Sequence, residues 1–466
     1  MTKNSKTNRR QFMSKSAAAA AGGIIAANTA TAKAAGGFHV AGDGTIKVGL
    51  IGCGGRGTGA AVNACRADPN VRITALADAF SDRIESVHKT LTKKRPGQLA
   101  EDVQKFAGFD NYKDLIDSGV DIVILATPPH FRPAHIEAAI QAGKHVFCEK
   151  PVGVDVPGVQ RVREACRRAA DQGLTIVSGL CWRYDVGVRA TMERIQNGAI
   201  GEILSIQENY LTSELWHRGE NPKWSQMEYQ MRNWLYFNWL AGDHTAEQHI
   251  HSIDKSMWLM GDQPPVRCYA MGGRQKRTGE QYGNVYDHFA TVFEWANGVK
   301  CHSYCRQQEG CFNDVEDYVI GTKGKAIILR HEILADGKEP WRFTEKKPSM
   351  YDVELREMIA AICNDDPINN GEYMCDSTLM ALIARDCAYT GQSIEWADYL
   401  KSEVVLGPKS TLGATTNRCP WQSRVKKCGR QSSQASALFI TARSQWQKRL
   451  TSNQNLVRVE IRQIGA

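Results

Sequence analysis

IKVGLIGCGGRG, residues 46–57, is the stretch that decides the fold of this chain. It starts with the apolar residues of a buried β-strand and runs into a turn with Gly52, Gly54 and Gly57 in the G-x-G-x-x-G spacing. The first glycine permits a tight turn, the second lets the backbone approach a pyrophosphate, and the third lets a helix pack against the strand. The phosphate then lies at the N-terminus of that helix. The stretch therefore predicts a strand, a phosphate-binding turn and a helix.

A second apolar segment, VRITALAD, supports a dinucleotide site. It ends at Asp78, 21 residues after Gly57. A carboxylate at that place can accept hydrogen bonds from both ribose hydroxyls of an adenosine. No arginine follows Asp78 directly, so the sequence favours NAD over NADP.

Strand and helix patterns alternate through the first part of the chain. GVDIVILATPP, KHVFCEKP and LTIVSGLCWRY are predicted strands, while SDRIESVHKTLTKK, RPAHIEAAIQAG and VPGVQRVREACRRAADQG are predicted helices. RPGQLAEDVQKFAGFDNYKDLIDS is interpreted as loop and helix. This alternation predicts an NAD-binding Rossmann domain, a doubly wound parallel sheet, over residues 45–182.

The pattern changes in the second part of the chain. EILSIQENYLT, HFATVFEWANG, KCHSYCRQQ and DYVIGTKGKAIIL alternate more and have no helices between them. They predict an α+β domain with an open, mainly antiparallel sheet over residues 183–349. Residues 350–400 are predicted to be helices that pack back on the Rossmann domain. The predicted fold class is therefore α/β.

The two ends of the chain differ from its body in charge. Residues 1–34 carry a net charge of +6, and their NRRQFM and SAAAAAGGIIAAN segments resemble a twin-arginine (Tat) signal for export to the periplasm. A disordered basic arm is the alternative. Residues 411–466 carry +9 and are expected to be a disordered basic tail, interpreted as a read-through or frame-shifted extension. The total of +8 leaves −7 for residues 35–410, which argues against nucleic acid as a partner.

The 14 cysteines do not have the spacing of a disulfide framework. Cys53, Cys148 and Cys181 lie in or beside predicted strands, where a thiol is usually a small buried hydrophobe. The cluster of cysteines at residues 301–311 lacks a C-x-x-C pair, and the histidines at 244, 249 and 251 do not converge on one helix face. The sequence therefore predicts no metal site.

Two stretches offer catalytic groups. Cys148-Glu149-Lys150-Pro151 follows a predicted parallel strand at its carboxyl end, where ligands bind in open α/β sheets. GDHTAEQHIHSIDKSMWLMG, residues 242–261, is predicted to be helical and would place Glu247, His251 and Asp254 on one face. A carboxylate beside an imidazole orients it and raises its basicity, which suits a general base.

Together these motifs resemble the glucose-fructose oxidoreductase, inositol dehydrogenase and rhizopine-catabolism group, written Gfo/Idh/MocA. The resemblance covers about residues 45–400 and rests on the glycine triplet, Asp78, the ATPP turn at 126–129, Glu-Lys-Pro at 149–151 and IDKSMWLMG at 253–261. It implies that Lys150, Glu247 and His251 hold the sugar hydroxyl that is oxidised, with His251 as base. Glu247 stands where the group has an aspartate, one methylene shorter.

The resemblance also implies the contacts of cofactor and substrate. The predicted NAD contacts are Gly52, Gly54, Gly55, Arg56, Gly57, Asp78, Thr127, Pro129, His130, Glu149 and Lys150. The predicted substrate contacts are Trp182, Arg183, Tyr184 and His251. Four tryptophans between residues 209 and 240 offer flat faces to a sugar ring, with a core or oligomer contact as the alternative.

The expected function is NAD-dependent hydride transfer from a hydroxyl of a sugar, polyol or sugar derivative. Export raises a supply problem, because free NAD is not expected to be regenerated outside the cytoplasm. This favours a closed redox cycle, so an NAD-retaining glycoside hydrolase or an epimerase that works through a transient keto sugar stays open. A sugar-binding module without turnover is a second alternative. The resemblance implies that the domain of residues 183–349 binds the substrate and mediates oligomerisation, so a homo-oligomer, dimer or tetramer, is expected.

Overall fold

The structure is a computed structural model and describes residues 44–408. The predicted export signal and the predicted basic tail lie outside the described residues. Among residues 44–408, every helix is too short or too polar to cross a membrane.

The first domain is a six-stranded parallel sheet with helices on both faces. Its strands are β1 Ile46–Ile51, β2 Val71–Asp78, β3 Leu99–Ala107, β4 Ile122–Leu125, β5 His145–Cys148 and β6 Ile176–Ser178, and its helices are α1 Gly55–Ala67, α2 Ser81–Lys94, α3 Asn111–Asp117, α4 Arg132–Gln141 and α5 Val156–Asp171. The strand order is β3-β2-β1-β4-β5-β6, so the direction of winding reverses between β1 and β4. This confirms the predicted Rossmann sheet and places the ligand crevice at the carboxyl ends of β1 and β4.

Strand β3 corrects the prediction of a loop before α3. Its sequence, LAEDVQKFA, is rich in charged and helix-forming residues, and most of its side chains are partly or fully exposed. β3 pairs only with β2 and forms the edge of the sheet. An edge strand with a polar face lacks the apolar run by which a central parallel strand is recognised.

The second domain is built on a nine-stranded sheet. Its strands are β7 Ile203–Thr212, β8 Arg267–Gly273, β9 His288–Glu294, β10 Lys300–Gln307, β11 Asp314–Gly321, β12 Gly324–Ile327, β13 Glu332–Ala335, β14 Trp341–Arg342 and β15 Ile394–Glu395. The helices of this half of the chain are α6 Val186–Gln196, α7 Gln226–Arg232, α8 Asn238–Ala241, α9 Ile250–Leu259, α10 Met350–Cys363, α11 Gly371–Thr390 and α12 Trp396–Tyr399. β7 and β10 are parallel and the other pairs are antiparallel, which confirms a mainly antiparallel sheet.

Helices α10 and α11 connect the two domains. The Asn63 amide in α1 donates to Asp352 of α10 at 2.5 Å. In α11, Asp376 pairs with Arg163 of α5 at 2.6 Å, while the Ser377 hydroxyl donates to a residue of α9. The crevice of the first sheet and the start of α9 are therefore held at a fixed distance by packed helices.

The predicted burial of the strand cysteines is confirmed. Cys53, Cys148 and Cys181 are each at most 2% exposed. Burial raises the pKa of Cys148 to about 12, so this thiol stays protonated and acts as a small apolar side chain.

Candidate functional site

A cavity of about 340 Å³ opens at the carboxyl ends of β1 and β4. Its first-domain wall includes the turn that holds Gly52, Gly54 and Gly57, the end of β2 at Asp78, and Thr127 after β4. The cavity thus lies where the reversal of strand order predicts a ligand.

The three glycines of the turn have different roles in the structure. Gly52 has φ of +99°, and a Cβ there would lie 2.5 Å from the carbonyl carbon of Ala126. A Cβ on Gly57 would lie 2.0 Å from the Gly52 oxygen. Gly54 has an ordinary φ of −83°, and a Cβ there would meet no atom within 4 Å. The protein's own packing therefore requires Gly52 and Gly57, whereas Gly54 faces open space beside the N-terminus of α1, where a pyrophosphate fits.

Asp78 is held at the mouth of the cavity by two backbone groups. Its carboxylate accepts from the Cys53 amide at 2.7 Å and from the Phe80 amide at 3.0 Å. Burial raises the pKa of Asp78, and these two hydrogen bonds oppose the shift. Both carboxylate oxygens keep lone pairs for a ribose diol. Arg83, one turn into α2, lines the same end of the cavity and was not predicted as a contact.

Arg56 and Glu149, both predicted cofactor contacts, bond to each other. Arg56 pairs with Glu149, and also with Glu354 of α10 at 3.3 Å. Its guanidinium lies 4.5 Å from the centre of the Tyr351 ring. Burial raises the pKa of Glu354 well above its usual range. Arg56 lines the cavity, while Glu149 lies behind it and fixes the arginine.

Lys150 links the end of β5 to the segment that carries the predicted base. Its ammonium donates to the backbone carbonyl of Glu247. Burial, followed by the positive charges of Lys150 and Lys255, holds the pKa of His251 well below its usual range. The imidazole is therefore neutral at neutral pH, and its ring has no hydrogen-bond partner within residues 44–408. The Lys150 ammonium is thus near enough to His251 to lower the pKa of the imidazole, although neither residue is among those that line the cavity.

Glu247 does not form the predicted pair with His251. Residues 245–249 form a π-helical turn, and the Glu247 side chain lines the cavity instead. Its Oε2 is buried and has no hydrogen-bond partner in the described part of the chain. Asp254, predicted to share that face, accepts from Arg183 Nε at 3.0 Å and from the Ser377 hydroxyl at 2.8 Å.

The predicted substrate contacts at the end of β6 are not among the residues that line the cavity. Arg183 pairs with Asp254 and also with Asp262 at 2.6 Å. The Tyr184 hydroxyl donates to Asn370 at 3.0 Å, and the Tyr184 ring is 4% exposed. Trp182 packs under the Lys255 ammonium, 5.1 Å from the ring centre. These side chains join the second domain to α11, so the structure gives no support to their assignment as substrate contacts.

The turn after β4 lines the cavity with one predicted residue and with neighbours that were not predicted. Thr127 lines the cavity as predicted, and its hydroxyl lies 3.4 Å from His135. Pro129 and His130 lie outside the lining, while Phe131 and His135 belong to it. His130 packs edge-on against Trp239 with ring centres 5.0 Å apart. In this helical segment residues four apart share a face, so Phe131 and His135 both turn towards the cavity.

The second-domain wall of the cavity was predicted only in part, since Arg218, Met231 and Arg232 were not singled out in the sequence. It consists of Trp216, Arg218, Met231, Arg232, Trp234 and Glu247. The tryptophans of this wall belong to the cluster that the sequence analysis interpreted as a surface for a sugar ring, with a core or oligomer contact as the alternative. Trp216 and Trp234 pack edge-on, with ring centres 6.2 Å apart.

Comparison with protein families matches both domains of the chain. Residues 46–177 match the model of the GFO_IDH_MocA oxidoreductase family, NAD-binding Rossmann fold, and residues 188–327 match the GFO/IDH/MocA C-terminal domain. Together the two matches cover more than half of the 466 residues.

Curated relatives and solved structures agree with this match. The chain is 31% identical over 215 residues to a 2,7-anhydro-N-acetylneuraminate hydratase of Escherichia coli, covering 46% of this chain and 52% of that protein. It therefore spans about half the length of that relative. It is 29% identical to inositol 2-dehydrogenase 3 of Saccharopolyspora erythraea, covering 69% of this chain and 86% of that protein. A solved levoglucosan dehydrogenase in complex with NADH and levoglucosan has the same fold, with a TM-score of 0.58, 18% identity and coverage of 75% and 99%.

Proposed function

The chain belongs to the Gfo/Idh/MocA oxidoreductase family, and from that premise we propose that it uses NAD to oxidise a hydroxyl of a sugar, polyol or sugar derivative. Dehydrogenases of inositol and of levoglucosan are among its relatives. The first domain supplies the cofactor cradle, with the Gly54 turn for the pyrophosphate and Asp78 for the adenosine ribose.

One observation carries the proposal. The Lys150 ammonium donates to the Glu247 carbonyl and so lies against the segment that leads into His251. The Glu247 side chain of that same segment lines the cavity of the glycine turn. The proposal is supported because the cation contacts, and the imidazole lies four residues after, a residue of the cavity wall.

The residues divide the chemistry as follows. His251, held neutral by burial and by the charge of Lys150, accepts the proton of the substrate hydroxyl. Lys150 donates a hydrogen bond to that oxygen as negative charge develops on it. NAD, when bound, would accept the hydride from the carbon that bears this hydroxyl.

The test is the NAD-dependent oxidation of a panel of polyols and sugars by the purified full-length chain. His251→Asn is expected to lower kcat/KM by about 10²- to 10⁴-fold, because it removes the base. Lys150→Met is expected to lower it by about 10²- to 10³-fold. Lys144→Met, at a half-buried lysine in front of β5, is the matched control. Unchanged rates in both site variants would contradict the proposed chemistry.

A second candidate is a closed redox cycle, in which the hydride returns to the same substrate. The relative named as a hydratase favours it, because hydration involves no net oxidation. A retained cofactor and a transient keto sugar would then give hydrolysis or epimerisation. Release of sugar from aryl glycosides without net NADH would support the cycle. Stoichiometric NADH with polyols would support the dehydrogenase.

We also propose export through the Tat machinery with the cofactor already bound. The motif Arg9-Arg10 within residues 1–34 supports this, and it lies outside the described residues. Replacing both arginines with lysine is expected to keep the protein in the cytoplasm, as followed by cell fractionation. Unchanged transport of that variant would contradict the proposal.

A further inference from the structure

The second domain covers one side of the cavity with a long segment between β7 and α8. Residues 213–237, here called the strap, contain α7 and five of the residues that line the cavity. These are Trp216, Arg218, Met231, Arg232 and Trp234. A cavity that begins on the Rossmann sheet is thus closed by a segment from the other domain.

The strap is folded on the second domain by its own hydrogen bonds. The Tyr236 hydroxyl lies 3.0 Å from the carbonyls of both Leu215 and Trp216. The Arg218 amide donates to the Asn233 side chain at 2.8 Å. These bonds join the two ends of the strap, so it contacts the cavity as a preformed unit.

Arg232 joins the strap to the Rossmann domain. Its two terminal nitrogens each donate to an oxygen of Asp82 at 3.0 Å. Its Nε donates to Glu228 at 2.8 Å, and its guanidinium lies 4.1 Å from the centre of the Phe80 ring. Within residues 44–408, the Arg232–Asp82 pair is the only hydrogen-bonded link between the strap and the first domain. Planar bidentate pairs of this kind fix orientation as well as distance.

The Arg232–Asp82 pair lies near the predicted binding place of the adenosine half of the dinucleotide. Asp82 lies in the first turn of α2, four residues after Asp78, the predicted ribose contact. Ala79 and Phe80, between them, also line the cavity. The pair therefore lies at the end of the cavity where the adenosine ribose is expected to bind, away from Lys150.

The strap offers the right chemistry to this half of the cofactor. Trp216 and Trp234 present aromatic faces, which suit an adenine base. The Arg218 guanidinium lies 4.5 Å from the centre of the Trp216 ring and has no ion pair among the described residues. A cation without a carboxylate partner on the wall of this cavity suits a phosphate.

From this geometry we infer that the strap retains the dinucleotide, and that the Arg232–Asp82 pair must open before the cofactor can leave. The inference rests on the proposed function, because it takes NAD as the occupant. It assigns Arg232 as a positioning residue that holds the strap against α2. Slow release of cofactor is what a closed redox cycle requires.

The experiment compares two carboxylates of α2 in the full-length protein. Asp82 holds the strap, whereas Glu85 of the same helix pairs with Lys105 of β3 at 2.9 Å, away from the strap. NADH release is measured by the change in fluorescence when the loaded protein is mixed with excess NAD. Asp82→Asn is expected to speed release about two- to fivefold, the range of an exposed ion pair. Asp82→Lys is expected to exceed this, because two cations then face each other.

Three further measurements separate retention from stability. Glu85→Lys is expected to release NADH at the wild-type rate. Asp82→Glu keeps a carboxylate at this position and is expected to release NADH almost as slowly as the wild type. The fraction of cofactor that remains after gel filtration is expected to fall for Asp82→Lys only. The melting temperature without cofactor reports any general loss of helix α2.

The outcomes divide as follows. Faster release from Asp82→Asn and Asp82→Lys, with wild-type release from Glu85→Lys, supports retention of the cofactor by the strap. Wild-type release from Asp82→Lys overturns it, even where the melting temperature falls, because the pair then serves stability only. Equal acceleration by Glu85→Lys overturns it as well, because the effect then belongs to α2. A wild-type protein that binds no NAD overturns the proposed function itself, which is a different result from binding without retention.

Discussion

Replacing Gly54 with alanine is expected to separate cofactor binding from folding. Its backbone has φ of −83°, which alanine adopts without strain, and the added Cβ meets no protein atom within 4 Å. The loss of stability is expected to be about 1 kcal/mol or less, the cost of alanine at a helix N-cap. The methyl group would instead occupy the space through which a pyrophosphate approaches α1.

The size of the binding defect follows from overpacking. An extra methyl group in a filled site costs about 1–3 kcal/mol, which corresponds to a Kd for NAD raised about 5- to 160-fold. Gly57→Ala provides the contrast, because its Cβ would lie 2.0 Å from the Gly52 oxygen. That variant is expected to lose about 3 kcal/mol or more of stability and NAD binding with it.

The assay is calorimetric titration with NAD, with the free energy of unfolding measured in urea on the same samples. Gly59→Ala is the control, since its Cβ would meet only the end of the Arg56 side chain at 3.4 Å. This control is expected to bind NAD normally and to gain up to about 1 kcal/mol from helix propensity. Wild-type affinity in Gly54→Ala would refute the placement of the pyrophosphate.

Three further predictions concern charge. Asp254→Asn is expected to lower the free energy of unfolding in urea by about 3 kcal/mol, because it breaks the buried pair with Arg183. Asp262→Asn, whose side chain is 44% exposed, is expected to cost less than about 1 kcal/mol. Burial and then the charge of Asp317 raise the pKa of Glu208 from 4.5 to about 7. The stability of the wild type relative to Glu208→Gln is therefore expected to fall as the pH rises from 4.5 to about 7. Urea unfolding at a series of pH values measures this. The pKa of His251 lies well below 6.5, so the acidic limb of kcat/KM against pH is expected below that value.

Each of these predictions has a contrary result. Equal losses from Asp254→Asn and Asp262→Asn would mean that burial does not set the strength of these contacts. If the wild type instead became more stable relative to Glu208→Gln as the pH rises, the Glu208 carboxylate would be ionised in the folded protein. An acidic limb at pH 6.5 or above would mean that His251 has an ordinary pKa, and that burial does not keep it neutral.

The first domain could be predicted because its signals are local. The central strands are short, mainly apolar runs, and the three glycines of the turn lie within a stretch of twelve residues. β3 was missed because its pairing with β2 stabilises a sequence whose own propensity is not that of a strand. The site partners of Arg183 could not be predicted for another reason. Asp254 lies 71 residues away, and spacing along the chain carries no information about an ion pair between two segments so far apart.

The π-helical turn explains why the candidate base could be predicted and its expected partner could not. In a regular helix, residues four apart share a face, so the sequence pairs Glu247 with His251. Residues 245–249 follow the i→i+5 pattern instead, so Glu247 does not have the position relative to His251 that a regular helix would give it. Glu247 therefore turns its carboxylate to the cavity and offers Lys150 its carbonyl. A carboxylate partner would raise the pKa of His251, whereas burial and nearby cations lower it. The extra methylene of Glu247 thus extends towards the cofactor cavity, and shortening it to aspartate would not create the pair.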